Sequence, residues 1–311
     1  MQRSNKLISF VSKNFASKWK PKMPDHKFII EKDSYRFPHP IWNLKDAENV
    51  EITHYQPKTL GDTLAYYAMR ILRTSFDKFS GYKPGQMNES TYIRRCIFLE
   101  TIAGVPGFIG GILRHLNSLR GLRHDGGWIH HLLEEAENER MHLLTFLQIR
   151  QPGIIMRCLI MASQFFFISG YGFIYLVSPS TAHRFVGYLE EEAVKTYTQI
   201  IKDLDDGKLP LWEDLPAAKD AIRYWGLDEN ANFRDVIVSI RADEVSHREF
   251  NHHFADIPQD MPIAGHKLEV VEAKNKHKLW DKREFIVEKT DFNKGFNLKL
   301  NIPENNTSAA V

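Results

Sequence analysis

Residues 135–143, EAENERMHL, and residues 241–247, RADEVSH, each place a glutamate three positions before a histidine. In a helix, this spacing puts a carboxylate and an imidazole on one face about one turn apart, so both can bind one ion. The two pairs are Glu139 with His142 and Glu244 with His247. A four-helix bundle that holds two metal ions carries one such pair on each of two helices and a single glutamate on each of the other two. The motifs therefore predict a mainly α protein with a two-metal carboxylate centre.

Two further Glu-x-x-His matches show that the spacing alone does not identify a site. The pair Glu51/His54 lies in a polar stretch between two prolines, without a helical apolar period, and is interpreted as a solvated loop. The pair Glu249/His252 lies five residues after Glu244/His247 on the same predicted helix. Five residues rotate a helix by about 140°, so one of these two pairs must face away from the site. The spacing does not decide which.

Single glutamates in apolar surroundings are the candidates for the remaining ligands. Glu100 lies within IFLETIAGV, and one of the three glutamates at 190–192 follows an apolar stretch on a later helix. Each glutamate alone is more typical of a solvated helix face, because burying a carboxylate without a partner is costly. Taken together, four carboxylates and two imidazoles form an oxygen-rich set that favours iron or manganese over zinc.

Composition limits the class of protein. The chain has 311 residues, 43% of them hydrophobic, which is enough for one main core with terminal arms. Because 41 basic residues balance 39 acidic ones to give a net charge of +2, no nucleic-acid binding is expected. Cys96 and Cys158 both lie in apolar helical patterns, which predicts buried, reduced thiols.

The charge and proline patterns divide the chain into four segments. Residues 1–25 carry basic and serine residues and no acid before Asp25, which is typical of a mitochondrial transit peptide; a basic disordered terminus is the alternative. Residues 26–57 are predicted to form an extended arm, 58–257 the helical domain and 258–311 a polar, loosely ordered tail.

An uncharged run at 158–177 is long enough to cross a bilayer. A crossing would separate Glu139 and His142 from Glu190 and Glu244 and prevent a shared metal site. We therefore expect this helix to lie in a membrane surface together with the amphipathic helix at 58–80. A fully buried core helix is the alternative.

Four segments together resemble a known family. Residues 98–107 (FLETIAGVPG), 135–143 (EAENERMHL), 186–194 (VGYLEEEAV) and 241–247 (RADEVSH) are similar in sequence and order to the signature boxes of the alternative oxidases. These are mitochondrial quinol oxidases of the ferritin-like di-iron class, and the similarity extends over roughly residues 58–257. It implies a ferritin-like four-helix bundle plus two additional helices that form a monotopic membrane-binding surface. The metal ligands that it implies are Glu100, Glu139, His142, Glu190, Glu244 and His247.

The resemblance also assigns roles to other residues. Tyr197 corresponds to the family's redox-active tyrosine and, seven residues after Glu190, returns to nearly the same helix face. Hydrogen bonding behind the ligands, or movement of protons and electrons, is implied for Asn138, Asp243, His183, Tyr224 and Trp225. Quinol contacts are implied for Arg73, Arg95, Leu99, Glu192, Ala193 and Thr196. For Arg73, a snorkelling contact with lipid phosphates is equally compatible with the sequence.

The function that the resemblance implies is a cyanide-insensitive terminal oxidase of the respiratory chain. It would use two iron ions to oxidise ubiquinol and reduce O2 to water without pumping protons. The expected form is a homodimer bound to the matrix-facing leaflet of the mitochondrial inner membrane. One departure concerns regulation: no cysteine precedes Cys96, so thiol control of the plant type is not expected.

Three alternatives differ in what they predict. A plastid-type quinol oxidase shares the metal site and differs in its quinol. A ferritin-like ferroxidase or iron-storage protein predicts a soluble cage that has no need of the apolar run at 158–177. A non-catalytic membrane-surface scaffold predicts no stoichiometric iron.

Overall fold

The structure is a computed structural model that describes residues 39–260 and 263 and the backbone of residues 285–286 and 299–300. The predicted transit segment and nearly all of the predicted tail lie outside these described residues. In chain order the elements are α1 (Leu44–Ala47), α2 (Leu60–Ser80), α3 (Glu89–Gly121), α4 (Trp128–Ile149), α5 (Ile154–Val177), α6 (Pro179–Asp205), α7 (Pro210–Glu213), α8 (Lys219–Trp225), α9 (Phe233–Asp256), β1 (Phe285–Ile286) and β2 (Lys299–Leu300). The strands β1 and β2 pair in antiparallel fashion.

Side-chain caps fix where the long helices begin. Thr59 and Asp62 form a capping box at the start of α2, in which each side chain accepts a hydrogen bond from the other residue's backbone N–H. Asn232 and Asp235 form the same arrangement at the start of α9. Gly81 ends α2 with a φ of +66°, a left-handed conformation that glycine adopts without strain. The termini of these two helices are therefore set by local sequence.

The four-helix bundle is built from two pairs of long helices. The first pair, α3 and α4, is joined by a short loop, and the second, α6 and α9, is antiparallel. Ion pairs hold the second pair at both ends: Arg234 with Asp205, and Arg184 with Asp256. Helix α2 packs on α6, and α5 packs on α3 and α6. The prediction of a mainly α four-helix bundle is confirmed.

Three details differ from the sequence-based expectation. The arm contains the short helix α1, and the loop before α9 contains α7 and α8. The expectation of two buried thiols is wrong for Cys158, which is exposed on α5, whereas Cys96 is buried. A cysteine in an apolar run is not buried when the run itself faces outward.

Exposed apolar surface is concentrated on α2 and α5. On α5, Phe165, Phe166 and Phe173 are each about two-thirds exposed, and on α2 the side chains of Tyr67 and Ile71 are similarly exposed. Helices α3 and α5 are long and apolar enough to cross a membrane, but the apolar window is 44% buried in α3 and only 17% buried in α5. The alternative that residues 158–177 form a buried core helix is therefore wrong.

Glycine allows α3 and α4 to approach closely. A Cβ atom added at Gly107 would lie 2.4 Å from the backbone oxygen of Leu132 on α4. Backbone atoms cannot move aside as a flexible side chain can. This contact brings Glu100 on α3 and Glu139 on α4 towards the same interior space.

We predict that Gly107→Ala destabilises the protein by about 2 kcal/mol, because the new methyl group forces α3 away from α4. Gly170→Ala is the matched control, since a Cβ atom added at Gly170 on α5 would meet no neighbouring atom within 4 Å. The control gains helix propensity of up to about 1 kcal/mol. Thermal unfolding followed by circular dichroism compares the two. Equal unfolding midpoints for the variants would contradict the close approach.

Candidate metal centre

Each of the four bundle helices contributes to one cluster in the interior. Helix α3 provides Glu100, α4 provides Glu139 and His142, α6 provides Glu190, and α9 provides Glu244 and His247. All six side chains are buried, and Glu139 and His142 have no exposed surface. The structure thus brings together the complete ligand set that the resemblance implied.

The six residues form two adjoining groups. In one group, ligand atoms of Glu100, Glu139, His142 and Glu244 all lie within 4.8 Å of one another; in the other, Glu139, Glu190, Glu244 and His247 do so. Glu139 and Glu244 belong to both groups. A carboxylate has two oxygens, so these two glutamates can each bind two ions at once. The arrangement fits two ions side by side, each also held by one terminal glutamate and one histidine.

The side-chain atoms that face this space lack hydrogen-bond partners. These buried atoms are Glu100 Oε2, both carboxylate oxygens of Glu139, both of Glu190, Glu244 Oε2, His142 Nδ1 and His247 Nδ1. His247 Nδ1 lies 2.7 Å from Glu139 Oε1, but without the orientation of a hydrogen bond. Buried polar atoms are normally paired, and leaving so many unpaired would be costly. Bound metal ions satisfy oxygen and imidazole donors of this kind, so the residues fit a two-metal centre.

The electrostatics of the cluster also favour the binding of metal ions. Burial raises the pKa values of Glu100 and Glu190 well above the ordinary range, because the charged form loses its hydration. For His247, burial acts to lower the pKa, but the neighbouring carboxylate of Glu139 outweighs it and raises the pKa to about 9. Positive charge is therefore favoured at this position. Two divalent ions would balance the four carboxylates.

Asp243 organises the region behind His142. Its Oδ2 atom lies 3.1 Å from His142 Nε2 and accepts hydrogen bonds from Trp225 Nε1 (2.8 Å) and Asn138 Nδ2 (3.0 Å). Asn138 also donates to the hydroxyl of Tyr224 at 2.9 Å. Burial opposes ionisation of Asp243, but the hydrogen bond with His142 outweighs it and keeps the pKa of the carboxyl below its usual value. An ionised Asp243 fixes the His142 ring with Nδ1 towards the cluster.

Tyr197 contacts the cluster directly. Its hydroxyl donates a short hydrogen bond to Glu100 Oε1, and its side chain is buried. Burial raises the pKa of the phenol well above its usual value, so it stays protonated. His183 lies apart from the six ligands, with Nδ1 3.1 Å from Asn251 Oδ1 and Nε2 3.3 Å from the Tyr175 hydroxyl.

Two of the predicted quinol contacts, Arg73 and Arg95, bind a carboxylate that the sequence did not indicate. Asp77 binds Arg73 Nε at 2.7 Å and Arg95 at 2.5 Å. Arg73 also donates to the hydroxyl of Thr196 at 3.1 Å and lies 3.4 Å from the Glu192 carboxylate. The other two predicted contacts, Leu99 and Ala193, occupy half-buried positions on α3 and α6. Their roles stay predictions.

In the two other Glu-x-x-His pairs, the histidine contacts Glu191 and not the metal-binding cluster. His54 lies outside any helix, but its Nδ1 is 2.6 Å from the buried carboxylate of Glu191, so it is not merely part of a solvated loop. His252 Nε2 approaches Glu191 at 3.0 Å, and its Nδ1 lies 3.0 Å from Arg184. Glu191 thus faces away from the cluster, whereas its neighbour Glu190 faces into it.

Sequence reasoning missed three residues near the centre. Trp42 in the arm donates to Asp243 Oδ1 at 2.5 Å, and no helical period predicted its position. Glu134 and Glu135 are buried on α4, about one turn before the ligand Glu139. Burial raises the pKa of each carboxyl to about 7. The position of Glu134 and Glu135 within an apolar helical pattern is the sequence feature that could have identified them as buried.

Comparisons with known proteins all indicate the same family. The family model described as Alternative oxidase matches residues 42–256, which include every residue of the cluster. The mitochondrial alternative oxidase of Trypanosoma brucei brucei is 49% identical over 254 residues, covering 81% of this chain and 77% of that protein. That of Emericella nidulans is 46% identical over 251 residues, covering 77% and 71%. That of Wickerhamomyces anomalus is 44% identical over 255 residues, covering 77% and 74%.

We predict that the purified protein binds two metal ions per chain and that Glu139→Gln reduces this number, because Glu139 belongs to both ligand groups. Glu137→Gln is the control: Glu137 lies on the same helix but pairs with the exposed Arg140. Elemental analysis by plasma mass spectrometry gives the metal content. Equal contents in both variants would contradict the assignment of Glu139.

We predict that the carboxyl group of Glu134 makes the free energy of unfolding depend on pH. Its pKa is about 7 in the folded protein against an ordinary value of 4.5, so the folded state holds the proton more tightly than the unfolded state. Stability is therefore lost as pH rises from 4.5 to about 7, by roughly 3 kcal/mol at most. Glu134→Gln removes this loss.

Thermal unfolding midpoints across that pH window measure the effect. The midpoint of Glu134→Gln should rise above that of the wild type as pH increases, while replacing the exposed Glu229 by Gln should leave the pH profile unchanged. A constant difference between Glu134→Gln and the wild type at every pH would rule out the buried carboxyl as the cause.

Proposed function

Because the chain belongs to the alternative oxidase family and is a cyanide-insensitive terminal oxidase, we propose that it oxidises ubiquinol and reduces O2 to water with two iron ions. The observation that carries this proposal is the convergence of six buried ligands from four helices, with their donor atoms unpaired. The reaction balances when two quinols give four electrons and four protons to one O2, yielding two quinones and two waters.

The iron ions would supply the site at which O2 binds and accepts electrons. Glu139 and Glu244, which belong to both ligand groups, would hold the two ions at a fixed separation. Asp243 keeps the His142 ring oriented, and the ring of Trp225 stacks against it. The protein's contribution is thus a buried set of ligands whose charge two divalent ions would balance.

Helix α6 carries predicted quinol contacts next to residues of the metal centre. Thr196, which contacts Arg73, immediately precedes Tyr197, which donates to the ligand Glu100. A quinol hydroxyl held near Thr196 and Glu192 would lie next to the residue that reaches the metal ligands. Tyr197 would therefore serve as the group through which an electron and a proton pass between quinol and the centre.

The exposed apolar side chains of α2 and α5 support a location at a membrane surface. Faces of this kind are stabilised by burial in the interfacial region of a bilayer, and ubiquinol resides in the bilayer. The relatives are named as mitochondrial proteins. We propose a monotopic homodimer on the matrix side of the inner membrane. A soluble iron-storage cage would have no need of these apolar faces.

The test is quinol-dependent oxygen uptake in the presence of cyanide, in membranes that contain the protein and no other cyanide-resistant oxidase. We expect uptake by the wild type and by Glu137→Gln and none by Glu139→Gln. Ubiquinol should support faster uptake than plastoquinol. A wild type that contains two irons and consumes no oxygen would contradict the proposal and favour a ferroxidase; a protein without iron would favour a scaffold.

A second prediction concerns Tyr197. Replacing it with Phe should reduce quinol oxidation by about a hundredfold or more while leaving the metal content unchanged, because only the phenol is removed. Tyr92→Phe is the matched control, since that hydroxyl also donates to a buried carboxylate, Asp203, at 2.7 Å. Equal rates for the two variants would show that the Tyr197 hydroxyl takes no part in the reaction.

A further inference from the structure

A cavity of about 140 Å³ lies between α2 and α6. Among the six predicted quinol contacts, only Glu192 lines it. Because Glu192 also lies 3.4 Å from Arg73, the cavity adjoins the Asp77 region, but Asp77, Arg73 and Arg95 do not form its walls. Its walls are formed by His54, Tyr66, Met69, Arg70, Tyr188, Glu191, Glu192 and Lys195.

The two carboxylates of the cavity already have partners. Glu191 accepts a hydrogen bond from the backbone N–H of Tyr55 at 2.8 Å and lies 2.6 Å from His54 and 3.0 Å from His252. Glu192 pairs with Lys195 at 2.7 Å. Both carboxylates are therefore already engaged by partners of their own.

Arg70 and Tyr66 remain available for a ligand. Among the residues that the structure describes, no carboxylate forms an ion pair with Arg70, and the hydroxyl of Tyr66 forms no hydrogen bond. The ring of Tyr66 is held in place by contacts with Tyr188 and His54. The cavity wall thus carries an exposed guanidinium that no described carboxylate pairs with and one positioned hydroxyl donor, which together suit an anion.

The position of Arg70 on α2 indicates where that anion comes from. At 100° per residue, the exposed side chains of Tyr67 and Ile71 lie about 60° and 100° to one side of Arg70. The buried side chain of Met69 lies about 100° to the other side. Arg70 therefore marks the border between the apolar face of α2 and the protein interior.

We propose that this cavity binds the anionic phosphate headgroup of a membrane lipid, with Arg70 as its counter-ion and Tyr66 as a hydrogen-bond donor. The acyl chains would lie along the apolar face of α2, which borders Arg70. This inference rests on the proposed location at a membrane surface. It adds a lipid-specific site to a surface that the apolar side chains alone would leave unselective.

Vesicle flotation with the full-length protein tests the proposal. One set of vesicles contains phosphatidylcholine alone, and the other replaces part of it with phosphatidylglycerol. Arg70→Gln is compared with Lys78→Gln, which removes one exposed charge from the same helix outside the cavity. Tyr66→Phe removes the hydroxyl without changing the charge.

We expect affinity for the anionic vesicles to fall about twentyfold in Arg70→Gln, which loses both surface attraction and charge-assisted hydrogen bonds. Lys78→Gln should lose only the surface attraction, about fivefold. Tyr66→Phe should weaken binding to anionic vesicles and leave binding to phosphatidylcholine unchanged. Equal losses for Arg70→Gln and Lys78→Gln would overturn the proposal.

A free phosphate is distinguished by competition. Inorganic phosphate added at constant ionic strength should not displace the wild type from anionic vesicles; displacement that depends on Arg70 would overturn the assignment to a lipid. Oxygen uptake by the same preparations separates this inference from the proposed function. If only the lipid inference fails, quinol oxidation persists and the Arg70 and Lys78 variants bind vesicles alike. If the oxidase proposal fails, the wild type consumes no oxygen.

Discussion

The cost of burying four carboxylates and two imidazoles in one interior space is the constraint on which the rest of this structure depends. Moving a single ionised carboxylate out of water is very unfavourable unless it is paired. The six side chains come from all four bundle helices, so ions that compensated their charge would also connect the helices. The cluster is therefore both the candidate reaction centre and a condition for the stability of the bundle.

Asp243 and helix α6 connect the metal centre to the elements around it. Asp243 connects the imidazole of His142 to the arm through Trp42 and to α8 through Trp225. On the opposite side, α6 places Tyr197 against the cluster and Thr196 against Arg73 of α2. One helix thus links the metal centre, the predicted quinol contacts and the helix with the exposed apolar face. Small movements of α6 would alter all three.

The helical motifs were predictable because their periodicity is local. Glu139 and His142 share a helix face by spacing alone, and the same reasoning applied to Glu244 and His247. Spacing did not exclude the later pair, Glu249/His252, since both pairs fit the pattern. The resemblance favoured the first pair, and the structure shows His252 turned towards Glu191. Which of two faces is buried depends on packing, which one helix does not encode.

Contacts between distant segments were not predictable. Trp42 and Asp243 are two hundred and one positions apart, and Asp77 lies on a different helix from Arg95, which it binds. No sequence period links such residues. The exposure of Cys158 was likewise missed, because an apolar run has the same composition whether it faces a core or a membrane.

Six side chains from four helices are placed to hold two metal ions close together. Mössbauer and parallel-mode electron paramagnetic resonance spectra of the reduced protein loaded with iron-57 test this arrangement most directly. Two irons that share Glu139 and Glu244 should give a magnetically coupled pair with an integer-spin signal. Spectra of isolated, uncoupled ferrous ions, or of one iron per chain, would contradict the account.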